Sequence, residues 1–340
     1  MREVTDAGGA KSDVLVSVND LRTHLFTSRG VVRAVDGVSF EVKRGEILGI
    51  VGESGSGKTM TALSIARLLP SPPAKIAGGS VLMGGRDLLL LPESEMRKVR
   101  GEEISMVFQD PLTSLNPLMN VGDQISESII AHGRANRQSA RRTAVEILRQ
   151  VGIPEPEARA SEYPFELSGG MRQRVMIAIA IAADPKLMIA DEPTTNLDST
   201  IQAQILSLLK SVRDARGTSI LLITHNLGIV AWVCDRVAVM YAGRLVEVGP
   251  TSMVLSNPLH PYTKALIKAI PRIESTGGGK LESIPGEIPD LLELMAACNF
   301  NPRCPFARDV CRTRVPPTFE VERGHVAECF IYSPGWHEAA

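Results

Sequence analysis

The periodicity of apolar residues changes character along the chain. From Val14 short apolar and polar positions alternate through LVSVNDL and VSFEV, the latter ending at the turn KRGE, a pattern that predicts antiparallel strands. The next run, ILGIV at 47–51, is apolar on both faces and predicts a fully buried parallel strand. A helix is expected over 58–69, stopped by PSPP, followed by another buried strand at ISMVF (104–108). Between 111 and about 183 the period turns helical. In SARRTAVEILRQVG, Ala140, Ala144, Leu148 and Val151 fall on one face and Gly152 supplies the stop. Strand character returns at KLMIAD and TSILLITH, each after a helical segment, as in a parallel sheet with crossover helices. RVAVMYAG and RLVEVG predict a final hairpin around Gly243.

These patterns divide the chain into a polar leader (1–12), an α/β body (13–255) carrying a helical part (about 111–183), and a tail (256–340) in which ESTGGGK forms a joint. No internal repeat is visible. With 22% charged residues and a net charge of -1, the chain lacks the basic face of a nucleic-acid binder, so no nucleic-acid partner is expected. The N-terminus has no signal-peptide pattern. The longest apolar run, VMIAIAIAA at 175–183, falls short of the roughly 18 residues a membrane span needs. A cytosolic chain is expected.

Directly after the buried strand at 47–51 comes GESGSGKT, comprising Gly52, Glu53, Ser54, Gly55, Ser56, Gly57, Lys58 and Thr59, with Met60 next in the following helix. This is the phosphate-loop pattern. Backbone N–H groups turn toward phosphate, Lys58 places its charge at the β/γ-phosphates, and Thr59 offers a hydroxyl to Mg²⁺. The strand LMIADE ends in Asp191, placed for Mg²⁺, and Glu192, placed to orient or deprotonate water. In LSGGMRQRV (167–175), Ser168 can cap a helix, while Gly169 and Gly170 leave N–H groups open to an anion.

Two anion sites in this order resemble the ATP-binding cassette (ABC) family, with Leu167, Ser168, Gly169, Gly170 and Met171 as its signature. Gln109 stands at its Q-loop, Asn196, Leu197 and Asp198 at its D-loop, and His225 at its H-loop. Met171 replaces the consensus glutamine, and Asn226 follows the histidine where many members have aspartate. The resemblance implies a P-loop NTPase cassette: a mixed sheet core, an N-terminal antiparallel β part and a helical insert. It implies a head-to-tail dimer with a second, homologous or identical, ATPase subunit, in which Ser168 and Gly170 meet the γ-phosphate of the opposite site. It further implies that Glu192, His225 and Lys58 serve hydrolysis, that Thr59, Gln109 and Asp191 hold Mg²⁺, and that Asp198 lines the dimer interface. Phe26 is the candidate adenine-stacking aromatic, with packing in the core as the alternative.

The tail segments NPLHPYTKALIKAIP, IPGEIPDL and CNFNPRCPFARDVC, with HVAEC, resemble the C-terminal extension of oligopeptide and dipeptide importer ATPases. Four of the five cysteines lie there, Cys298, Cys304, Cys311 and Cys329, spaced C-x5-C-x6-C-x17-C. A reducing cytosol disfavours a disulfide framework. The resemblance implies a 4Fe-4S cluster on these thiols, and Zn²⁺ is the alternative Cys₄ guest. Cys234 reads as a core thiol. The implied partners are two transmembrane permease subunits and an extracytoplasmic substrate-binding protein, with this chain peripheral on the cytoplasmic face of the membrane. The alternative is a soluble ABC ATPase acting on ribosomes or DNA, which usually carries two cassettes or a coiled-coil insert. The cargo stays open among dipeptides, oligopeptides, nickel, glutathione, opines and sugars.

Overall fold

The computed structural model describes residues 13–270, 284–292 and 296–336. Its strands are β1 (Val14–Thr27), β2 (Gly30–Lys43), β3 (Ile47–Val51), β4 (Ala74–Met83), β5 (Arg86–Asp87), β6 (Ile104–Val107), β7 (Leu187–Asp191), β8 (Ser219–Thr224), β9 (Arg236–Tyr241), β10 (Arg244–Pro250), β11 (Thr318–Glu322) and β12 (His325–Glu328). The α-helices are α1 (Lys58–Ala66), α2 (Glu93–Glu102), α3 (Pro111–Ser114), α4 (Val121–Ala131), α5 (Arg137–Gln150), α6 (Pro156–Arg159), α7 (Gly169–Ile181), α8 (Ser199–Arg216), α9 (Leu227–Val233), α10 (Thr251–Ser256), α11 (Pro261–Lys268) and α12 (Asp309–Thr313). The leader 1–12 and the joint at 274–280 lie outside the described residues.

Two sheets form. A four-stranded antiparallel sheet has the order β2-β1-β4-β5, and an eight-stranded mixed sheet has the order β11-β12-β10-β9-β3-β8-β7-β6. In the larger sheet β6, β7, β8, β3 and β9 run parallel, and β10 turns back against β9 through Ala242 and Gly243. Every residue of β3, β7 and β8 is buried, as the apolar runs predict. Alternate side chains serve opposite faces of the sheet. Ile47, Val51, Met188 and Ala190 join a core with α4, α5, α7, α8 and α9. Leu48, Ile50, Leu187 and Ile189 pack instead with α1, α2 and the antiparallel sheet. Apolarity on both sides of these strands is thereby explained.

The helix expected over 58–69 stops at Ala66. Arg67 turns left-handed, at φ 52°, and its N–H returns to the carbonyls of Leu63 and Ser64, closing the helix before PSPP is reached. The larger difference is in the tail. Beyond the boundary expected near 255, β12 pairs antiparallel with β10 and β11 with β12, so the tail lengthens the main sheet. β11 alternates polar and apolar residues in TFEVE, but at five and four residues β11 and β12 are too short to stand out in a proline-rich tail.

The seam between body and tail is closed by rings and a buried hydrogen-bonded pair. Tyr241 of β9 meets Tyr262 of α11 and Phe300 at centroid distances of 4.6 and 5.2 Å. Glu247 of β10 and His325 of β12, both fully buried, pair at 2.8 Å. Glu247 also accepts the N–H groups of Leu259 and His260. Cys234 is a core thiol as expected, its Sγ against Gly49, and burial pushes its pKa up to about 12.

Candidate active site

Parallel register gathers the motifs at one sheet edge. The C-terminal end of β3 leads into the phosphate loop, that of β6 into Gln109, β7 ends at Asp191, and β8 leads to His225. Loops beyond the carboxyl ends of parallel strands are where an open α/β sheet receives its ligand.

The phosphate loop can be made only with glycine at its ends. A Cβ on Gly52 would lie 2.1 Å from the Met240 carbonyl oxygen. One on Gly57, at φ +105°, would lie 2.2 Å from the Ala34 oxygen. The buried Lys58 crosses the loop, its Nζ donating to the carbonyls of Gly52 and Glu53, both at 2.9 Å. Burial holds its ammonium below the ordinary pKa, opposed by the charges of Glu192, Asp191 and Glu53. α1 starts at Lys58 with no side-chain cap, so its first N–H groups remain directed at the loop.

Beside the loop, Thr59 Oγ1 donates to Asp191 Oδ1 at 3.2 Å, pairing a hydroxyl with a carboxylate in the way hard cations prefer. Burial raises the Asp191 pKa, which the Thr59 hydrogen bond moderates. Glu192 sits in left-handed backbone, φ 45°, its N–H tied to the Ile223 carbonyl. Three side chains hold its carboxylate: Gln109 Nε2 at 3.1 Å, Thr195 Oγ1 at 2.9 Å and His225 Nδ1 at 3.1 Å. Thr195 was missed from the sequence, where TT after the acids carries no fixed motif.

The signature residues join a different neighbourhood. Ser168 Oγ accepts the Met171 N–H at 3.3 Å, the expected cap of α7, while Leu167 is buried and Ser168 and Gly169 face solvent. Gly170 abuts Ile201 at the start of α8, whose cap is Asp198, accepting the N–H groups of Thr200 and Ile201 at 3.0 Å. Leu197 and Asn196, the latter at φ 63°, form the turn before it. Phe26 lies near the tip of the β1–β2 hairpin with 52% of its surface exposed, which rules out the core alternative.

Cys298, Cys304, Cys311 and Cys329 line one small cavity walled by Phe300, Phe306, Phe330 and Trp336. Among the described residues no three His, Cys, Asp or Glu side chains are arranged to hold a metal ion, so the expected ligand set is a thiol-lined cavity and not a formed site. Burial pushes the thiols of Cys298 and Cys329 up to about 12 and about 11, and protonated thiols gain nothing by converging.

A model of ABC transporters matches residues 35–195, and one of the oligopeptide/dipeptide transporter C-terminal region matches residues 246–311. A probable peptide ABC transporter ATP-binding protein of Sinorhizobium fredii is 52% identical over 320 residues, covering 94% of this chain and 96% of its own. The chain belongs to the ABC transporter ATP-binding family. Within it, the oligopeptide transport ATP-binding proteins OppD of Bacillus subtilis and of Salmonella typhimurium are 49% and 48% identical over 94% of this chain, covering 89% and 94% of their own. Among solved structures, the post-hydrolysis dimer of the ATP-binding cassette MJ0796 bound to ADP and Pi superposes with a TM-score of 0.63 at 28% identity, covering 70% of this chain and 99% of that one. The structure of cbiO1 from Clostridium perfringens gives 0.61 at 28% identity, over 72% and 92%. The cassette fold expected from the sequence is thus the fold observed.

Proposed function

We propose that this ABC ATPase energises import of di- or oligopeptides, hydrolysing ATP at sites assembled head to tail from two cassettes. The observation that carries the catalytic reading is the Glu192 carboxylate, fixed by Gln109, Thr195 and His225 beside the loop that holds Lys58. Held in this way, Glu192 orients and deprotonates the attacking water, and His225 steadies the γ-phosphate. Lys58, released from the loop carbonyls, exchanges them for phosphate oxygens, with Gly52 to Met60 cradling the β-phosphate and Phe26 stacking on the adenine. Thr59, Asp191 and Gln109 would hold Mg²⁺, which would supply screening of the phosphate charge. Ser168 and Gly169, which face solvent, with Gly170 and Met171 behind them, serve the site of the other cassette, and Asp198 lies at that interface.

The family membership and the extension of peptide-transporter type support two permease subunits and an extracytoplasmic binding protein as partners. No helix among the described residues is long and apolar enough to cross a membrane, which fits a peripheral subunit on the cytoplasmic face. Glu192→Gln should reduce kcat of the assembled complex by roughly 10²–10⁴-fold while ATP still binds. Undiminished steady turnover would refute the assignment of the base.

Cys298, Cys304, Cys311 and Cys329 are the donor type that a 4Fe-4S cluster takes, with Zn²⁺ as the alternative, and they would have to draw together to hold either. The support is a donor set of four thiols on one apolar-walled cavity in a tail whose strands β11 and β12 are short. Metal ligation would add folding energy there. Anaerobic purification followed by iron, sulfide and zinc analysis should give iron and sulfide in a 1:1 ratio. Zinc alone would replace the cluster, and a metal-free folded protein would remove both.

A further inference from the structure

We propose that Arg303 is a positioning residue for the phosphate loop, so that the C-terminal extension sets the affinity of this ATPase for ATP. Arg303 stands one residue before Cys304, yet its guanidinium points away from the sulfur cavity and into the nucleotide site. With its side chain only 3% exposed, it forms a two-pronged ion pair with Glu53, Nη1 to Oε2 at 2.8 Å and Nη2 to Oε1 at 3.2 Å. The other donors reach the Tyr241 hydroxyl, the Ile284 carbonyl and, from Nε, the Pro285 carbonyl. All the N–H groups of a guanidinium, five in number, thereby have acceptors, a geometry lysine lacks.

Glu53 is the second residue of the phosphate loop, and the extension holds it twice. Tyr262 of α11 accepts the Glu53 N–H at 2.9 Å, while its ring is locked against Tyr241 and Phe300. Lys58 donates to the carbonyl of the same residue. The backbone that must face phosphate is therefore suspended between α11, Arg303 and the catalytic lysine. A carboxylate inside a phosphate loop would by itself repel the ligand. Arg303 neutralises it and turns it into the tether. Asn299 Nδ2 donating to Ala242, and Arg33 N–H donating to Leu291, attach the extension on two further sides of the same site.

A purely structural ion pair and a positioning one make different predictions. In the full-length chain, Arg303→Met should raise the Kd for a fluorescent ATP analogue and the KM for ATP roughly tenfold, the scale of one charged hydrogen bond, with kcat at saturating ATP within about twofold. Arg303→Lys should recover part of that loss. Glu53→Gln should weaken ATP binding in the same direction, and the double variant Glu53→Gln/Arg303→Met should fall well short of the product of the single effects. Unchanged ATP affinity in a folded Arg303→Met protein, or independent effects in the double variant, would overturn the proposal. If Arg303→Met does not fold, Glu53→Gln decides alone: its partly exposed carboxylate tolerates replacement, and unchanged Kd there would overturn the proposal equally.

Discussion

The catalytic edge and the C-terminal extension dispose their polar groups differently. At the edge, Gln109 and His225 are exposed and converge on Glu192, and what aims them is the register of parallel strands. In the extension, Arg303, His325 and His260, the two histidines joined to Glu247 of β10 at the seam, are buried and spend their hydrogen bonds on the protein itself. The edge leaves Gln109 and His225 open to solvent, free to exchange partners. The extension is built to keep its partners, so any influence it has on ATP must pass through the backbone it holds. The two regions meet at Glu53, a loop residue whose carbonyl answers to Lys58 and whose carboxylate answers to Arg303.

The strongest way to break the edge is therefore through its backbone. Gly57→Ala would drive a Cβ to 2.2 Å from the Ala34 oxygen and 2.8 Å from the Met240 methyl, at a φ of +105°. The first of these neighbours is main chain of β2 and cannot swing aside. We expect ATP binding to fall by more than about 100-fold, with several kcal/mol of lost stability, which equilibrium nucleotide binding and thermal melting will measure. Gly55→Ala is the control. Gly55 is also left-handed, φ +77°, but has nothing within 4 Å of a Cβ, so only the conformational cost of about 1–2 kcal/mol applies. Equal losses from the two substitutions would mean that strain and not close approach shapes the loop. The Arg303 variants should have smaller effects than Gly57→Ala, since they loosen the loop without blocking its fold.

The same contrast governs what the sequence disclosed. That Lys58, Asp191, Glu192, Gln109 and His225 come together was legible because each follows or ends a parallel strand, and the ends of parallel strands gather at one edge. Ser168 was legible as a cap from its place before a helix. Arg303 was not. It stands beside Cys304 in NFNPRCPF with no motif of its own, and its partner Glu53, 250 positions away, occupies a place in the loop pattern that any residue may fill. β11 and β12 were hidden because five and four residues give too few periods of alternation to mark a strand in a proline-rich tail. Thr195 lies three residues past Glu192 and reaches it only because Glu192 adopts φ 45°, a turn that residue types alone do not announce.

A last test asks whether the state of the extension reaches the phosphate loop through α11. His260 caps α11, its Nδ1 accepting the Tyr262 N–H at 3.0 Å, which requires a neutral ring. Burial, aided by the nearby Lys264 charge, lowers its pKa from 6.5 to about 3, and Glu247 accepts its backbone N–H from β10. Because the folded value lies below the unfolded one, the unfolded chain takes up the proton first as pH falls. Stability is thus full above about 6.5 and drains away toward about 3. At about pH 5 the loss from this one group should be about 2 kcal/mol relative to neutral pH. His260→Asn keeps an acceptor at the cap and cannot titrate, so it should flatten the acid slope of the melting temperature even if it lowers the plateau. Parallel slopes in wild type and variant would assign the acid sensitivity elsewhere. If ATP affinity of the wild type also falls with acid and His260→Asn removes that fall, α11 and Tyr262 transmit the state of the extension to Glu53.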